Sequence, residues 1–124
     1  MKQYLLLILF GFFTLTSVAQ DFPMQDGTFT SCAGNFYDSG GAGSGYGNDE
    51  DLTMTFCPEE DDQGFQLDFT AFSTQTSVDF MYIYDGPDAS FPLINTYTGG
   101  EDPGVVQSSP DNLSGCLTVV FTSN

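Results

Sequence analysis

VDFMYIYDGPDAS, residues 78–90, is the stretch on which the fold turns. Apolar or aromatic side chains fill Val78, Phe80, Tyr82 and Tyr84, Asp79 sits between the first two, and Asp85-Gly86-Pro87 closes the run. Alternation stopped by a turn-forming Asp-Gly-Pro predicts a β-strand. The plain expectation for Asp79 is a solvent-facing strand residue. A carboxylate buried among apolar neighbours is costly unless it has a partner, however, so Asp79 is also the first candidate for a functional group.

Moving outward, the same pattern recurs and helical periodicity does not. Leu52–Phe56 and Phe65–Phe69 alternate clearly, with Gln66 and Asp68 on the face opposite Phe65, Leu67 and Phe69. Leu93–Tyr97, Val105–Ser108 and Cys116–Thr122 are weaker examples. Short alternating runs between clusters of Gly, Asp, Pro and Ser point to an all-β sandwich or barrel with one wet face per sheet. Two loops punctuate it: GGAGSGYGNDED (40–51) and PEEDDQG (58–64), the latter with four consecutive carboxylates.

The chain begins MKQYLLLILFGFFTLTSVA, in which one lysine precedes an apolar stretch and small residues stand at 17 and 19. This is the pattern of a secretory signal peptide cut after Ala19, and the apolar stretch is shorter than a membrane span of roughly 18–20 residues. Lys2 is the one basic residue of the 124, there is no histidine, and removal of the leader leaves seventeen carboxylates and a formal charge of −17. Without Lys or Arg at phosphates, nucleic-acid binding is excluded, as is attraction to anionic lipid. So acidic a surface repels itself when compact, which a salty medium or a bound divalent cation would relieve. The remaining length suits one domain: a lead over 20–28 and a packed domain over 29–124.

Export allows the three cysteines to oxidise. Cys32 and Cys57 enclose a 24-residue interval, a loop whose closure contributes about 3–4 kcal/mol. Pairing them leaves Cys116 as an unpaired thiol, an imbalance in a secreted chain.

Catalytic motifs fare poorly. The glycine-rich stretch has no lysine to make a phosphate loop, and a single copy is not a calcium-binding repeat array. Phe36-Tyr37-Asp38-Ser39-Gly40 presents Asp38 as a small dimeric aspartic protease would, two such carboxylates sharing a proton. That scheme needs a glycine-bearing apolar strand for support, and Leu117–Thr122 has no glycine. The ordinary alternative is a turn in which Asp38 caps its own backbone. Absence of histidine removes nucleophilic triads and zinc sites. A glycosidase needs only two carboxylates, but the chain has no tryptophan to line a sugar cleft.

The order Cys32…Cys57, Leu67-Asp-Phe69-Thr-Ala-Phe72, Asp79-Phe-Met-Tyr-Ile-Tyr-Asp85-Gly86 and Leu117-Thr-Val-Val-Phe121-Thr-Ser resembles a CUB domain. FYDSGG (36–41), Cys57-Pro58, YIYDGP (82–87) and SGCLTVVFTS (114–123) narrow the likeness to the CUB-like modules of long secreted bacterial proteins. The resemblance spans about residues 29–124. It implies an antiparallel two-sheet jelly-roll sandwich that binds rather than catalyses, with the 78–84 run as a core strand. In calcium-binding members the residue matching Asp79 is a metal ligand at one end of the sandwich. The other ligand positions fall on Gln75 and Asn124, where such members carry carboxylates, so any calcium held by Asp79, Gln75 and Asn124 would be held weakly. Members also continue past FTS with one more strand that carries a cysteine, a natural mate for Cys116. This implies that the chain is the front of a longer protein and lacks its last strand, leaving an exposed edge.

The function expected is thus a secreted or cell-surface, non-catalytic adhesion or recognition module. It would take an extracellular protein or glycan as partner and be assisted by calcium, with no nucleic acid and no membrane insertion once the leader is cut. The alternatives are the aspartic protease built on Asp38 and a calcium-dependent structural surface protein.

Overall fold

The computed structural model describes residues 19–124; the expected leader, apart from Ala19, lies outside them. Nine strands follow one another: β1 (Gln20–Pro23), β2 (Gly27–Thr30), β3 (Gly34–Tyr37), β4 (Asp51–Cys57), β5 (Gln66–Asp68), β6 (Phe80–Tyr84), β7 (Leu93–Tyr97), β8 (Val105–Gln107) and β9 (Leu117–Thr122). Among the described residues there is no α-helix, only a short 3₁₀ turn at Gly41–Gly43. The fold is all-β, as the alternation predicts, and β4 to β9 coincide with the six strands read from sequence.

Three sheets form. The largest has five strands in the order β2-β4-β9-β6-β7, and two ribbons, β1-β3 and β5-β8, complete the set. Pairing within β4-β9-β6-β7 is antiparallel, whereas β2 lies parallel to β4 and β1 parallel to β3. Both ribbons pack over one face of the five-stranded sheet. Phe56 of β4 meets Phe22 of β1 at 5.9 Å, Phe36 of β3 at 5.1 Å and Phe65 ahead of β5 at 5.3 Å between ring centres. Met54, Phe56, Ile83, Leu117 and Val119 are wholly buried there, each burial contributing about 1.5–3 kcal/mol. The arrangement is sandwich-like.

The stretch 20–28, expected as a lead, belongs to the packed unit. β1 and the start of β2 run through it, and Phe22 of β1 and Met24 just after β1 lie in the core at 5 and 4% exposure. These strands have four residues each and find partners in parallel rather than through a hairpin, so no local turn signal announces them.

The opening strand is correctly placed, but its inward face is not the aromatic one. In β6 Met81 and Ile83 point into the core opposite Phe121 and Val119 of β9. Phe80, Tyr82 and Tyr84 lie half-buried on the other face. Period-two alternation fixes which residues share a face, not which face is inside.

The disulfide also differs from expectation. Cys57 is bonded to Cys116, and Cys32 is free and exposed. Register explains the exchange. Phe56 of β4 stands opposite Leu117 of β9, so the next antiparallel pair outward is Cys57 with Cys116, whose Cα atoms are 4.2 Å apart. Cys32 follows the end of β2, which runs parallel to β4 with Thr30 beside Cys57, and the chain has already turned away. Cys116 is therefore not the unpaired thiol, and it needs no mate from a further strand.

Candidate functional site

One end of the five-stranded sheet gathers the residues singled out for metal binding. Asp79 precedes β6 and is 3% exposed, so it is not the solvent-facing residue of the plain expectation. Its Oδ2 accepts a hydrogen bond from the Tyr46 hydroxyl at 2.8 Å, and its Oδ1 accepts one from the Asn124 backbone N–H at 3.1 Å. The Tyr46 oxygen in turn accepts from the Gln75 N–H at 3.0 Å. Gln75 closes the turn into β6, its carbonyl accepting from the Val78 and Asp79 N–H groups, and Thr74 Oγ1 donates to the Asp79 carbonyl at 3.2 Å. Asp79, Gln75 and Asn124 thus lie together at this end of the sheet, linked through Tyr46 and direct hydrogen bonds. Two of the three, however, take part through the backbone.

Tyr46 was not foreseen. It comes from the glycine-rich 40–51 loop, and its ring packs edge-on against Phe121 at 4.9 Å between centres. The sequence signal was a lone aromatic in a run otherwise short of bulky side chains. Burial, then the hydrogen bond to Asp79, holds the Tyr46 phenol above its ordinary value of 10.0 against the opposing Gln75 N–H. Glu50 is the second unforeseen residue. Its Oε1 accepts from Ser39 Oγ at 2.5 Å and from the Gly47 N–H at 2.7 Å. Its backbone exchanges hydrogen bonds with Ser123: N–H to Oγ at 3.0 Å, and carbonyl from N–H at 2.9 Å. Glu50 Oε2 is buried without a hydrogen-bond partner.

A hard divalent cation takes six to eight oxygens, whereas the expected trio offers one side-chain carboxylate with both oxygens already engaged. Among the described residues no three acidic, histidine or cysteine side chains converge on a common point. The hydrogen bonds from Tyr46 and Asn124 satisfy both oxygens of the buried Asp79 carboxylate.

The opposite end of β6 explains the Asp-Gly-Pro that stops the opening stretch. Asp85 Oδ1 accepts from the Ser109 N–H at 3.0 Å and from Asn112 Nδ2 at 2.7 Å, and Asn112 Nδ2 also donates to the Cys116 carbonyl at 2.7 Å. Asp85 therefore anchors the 108–116 loop that leads into the disulfide. Burial opposes its charge, but the hydrogen bonds from Ser109 and Asn112 outweigh that and hold its carboxyl below the ordinary 3.8. At Gly86 a Cβ would overlap the Phe91 ring. The Gly86 carbonyl accepts from Thr118 Oγ1 at 2.8 Å, and Thr118 shares a 2.8 Å hydrogen bond with Thr55. These two threonines are 0 and 4% exposed, covered by the turn.

Asp38 lies elsewhere, exposed at the end of β3. Its Oδ1 accepts from the Gly40 N–H at 2.9 Å and its carbonyl from the Gly41 N–H at 3.0 Å. This is the self-capping turn that the sequence offers as the ordinary alternative to a catalytic carboxylate. No protein-family model matches this chain.

Proposed function

We propose that this chain is an exported, non-catalytic binding module of the CUB-like jelly-roll type, mediating adhesion or recognition of an extracellular protein or glycan. The observation that carries the reading is the use made of the partly or fully buried carboxylates. Asp79, Asp85 and Glu50 are each hydrogen-bonded across loops, holding the ends of the sheet in fixed conformations. Loops presented by a rigid β scaffold are the ordinary place for recognition. The Cys57–Cys116 bridge suits an oxidising compartment, and none of the described residues forms a helix long and apolar enough to cross a membrane. The order β2-β4-β9-β6-β7 with two ribbons over one face supports the jelly-roll assignment.

The test is saturable binding of the oxidised chain to arrays of immobilised extracellular proteins and neutral or charged glycans. Retained ligand that is released unaltered is the expected result. A chain that binds nothing on either array, or that cleaves what it binds, overturns the proposal.

A further inference from the structure

The two ribbons do not touch edge to edge. Strands β3 and β5 each have a neighbour on one side only, and between them runs a trough of about 550 Å³. One wall is 31–37 and the other 63–71, while Phe22, Phe36, Phe56, Phe65, Leu67 and Phe69 line the bottom. The Phe36 and Phe69 rings are 6.2 Å apart across it. A second hollow of about 310 Å³ shares Phe36, Tyr37 and Phe69 with the first and extends it to Tyr46 and Thr74. Exposed Cys32 stands at the opposite mouth.

The walls present backbone in strand register. On β3 the Tyr37 carbonyl accepts from the Met24 N–H at 2.9 Å, so Asn35 and Tyr37 turn their peptide groups toward β1. Gly34 and Phe36 then turn theirs into the trough. On β5 the Phe65 carbonyl accepts from Ser108 N–H, and Phe69 N–H donates to the Gly104 carbonyl. Phe65, Leu67 and Phe69 thus serve β8, and Gln66 and Asp68 face the trough. Facing rows of donors and acceptors above an apolar floor match one chemistry, an extended polypeptide whose alternate side chains point down.

Charge restricts the occupant further. Asp68 lies in one wall, Asp38 in the lining of the second hollow, and Glu59–Asp62 immediately before Gln63 of the trough lining. Beyond Lys2 the sequence has no Lys, Arg or His side chain with which to neutralise them. Acidic strands are therefore repelled, a second copy of this chain among them, and Lys or Arg near the strand ends is favoured.

We propose that the trough is a strand-acceptor site, which takes up an extended segment of a different polypeptide, apolar at every other residue and free of Asp and Glu. The proposal rests on the reading as a binding module and names its class of partner. The test uses phage-displayed random decapeptides selected on the oxidised chain, with the best peptide synthesised and titrated by fluorescence anisotropy. Selected sequences should alternate apolar residues, lack acids and carry basic ends. Saturating peptide should slow alkylation of Cys32 by N-ethylmaleimide at least fivefold. Gln66→Pro removes one wall N–H where the native strand makes no ladder bond. Its circular dichroism and unfolding midpoint should match the parent, while peptide affinity falls at least tenfold.

Equal binding by Gln66→Pro, selected peptides without alternation, or unchanged Cys32 reactivity overturns the proposal. So does concentration-dependent dimerisation that Gln66→Pro abolishes, which would assign the trough to a second copy. If the array ligands of the previous section still bind Gln66→Pro at parental affinity, the module reading stands and the trough assignment alone fails.

Discussion

Tyr46 and Asp79 show how a single hydroxyl decides the fate of a buried charge. Tyr46→Phe leaves the Asp79 Oδ2 without its donor, and an unsatisfied buried acceptor costs about 1–3 kcal/mol. Urea unfolding at pH 7 should register that loss with an unchanged m-value. A loss under 0.5 kcal/mol would show that water replaces the phenol. The Tyr46 phenol is raised in the folded state, so its contribution is complete below about pH 10 and fades as pH climbs through the folded value. Asp85 has the opposite sign. Its carboxyl is depressed below 3.8, so its contribution is present above that pH and is lost as pH falls through the folded value. Asp85→Asn should cost about 1–2 kcal/mol at pH 7, and the gap from the parent should close in acid unfolding curves taken below about pH 3.8. A gap that does not narrow as pH falls below 3.8 would contradict the charge-based account.

At the scale of strands, the disulfide and the inward face of β6 carry the predictions. Cys57–Cys116 closes a separation of 59 residues, so replacing both cysteines by serine should cost about 4 kcal/mol. Cys32→Ser should leave the unfolding midpoint within experimental error; a large loss there would mean that Cys32 is bonded after all. Ile83→Ala should cost about 2–5 kcal/mol because Ile83 is wholly enclosed, whereas Tyr82→Thr on the half-buried face should cost about 1 kcal/mol or less.

The strands β4 to β9 were legible because each carries its own alternation and a turn signal. The short parallel strands β1 to β3 were not, since nothing local distinguishes Gly27–Thr30 from a loop until β4 lies beside it. The cysteine pairing was illegible for the same reason. Spacing along the chain favoured Cys32 with Cys57, while cross-strand register, which spacing does not encode, joined Cys57 to Cys116. At the site, Asp79 stood out as a carboxylate among apolar residues. Its partner Tyr46 lies 33 positions away in sequence, and only the fold brings it near.

Across the whole molecule, charge dominates. Seventeen carboxylates against a single lysine repel one another through solvent, and that repulsion is screened by salt. Raising sodium chloride from 10 mM to 0.5 M should therefore raise the thermal midpoint. The end of the sheet around Asp79 is held by hydrogen bonds, so EDTA should leave that midpoint unchanged, and millimolar calcium should raise it no further than ionic strength alone does. A calcium-specific rise abolished by Asp79→Ala would restore a metal to that end.

The order of strands has a temporal consequence. β9 lies between β4 and β6, so the middle of the main sheet comes from residues 117–122, which a ribosome makes long after its neighbours. A nascent chain without them has two half-sheets and no centre, and should show no cooperative melting when stopped at residue 113. Such a polypeptide stays slack until residues 117–122 have been made, a property suited to being threaded through a narrow pore before it is allowed to set.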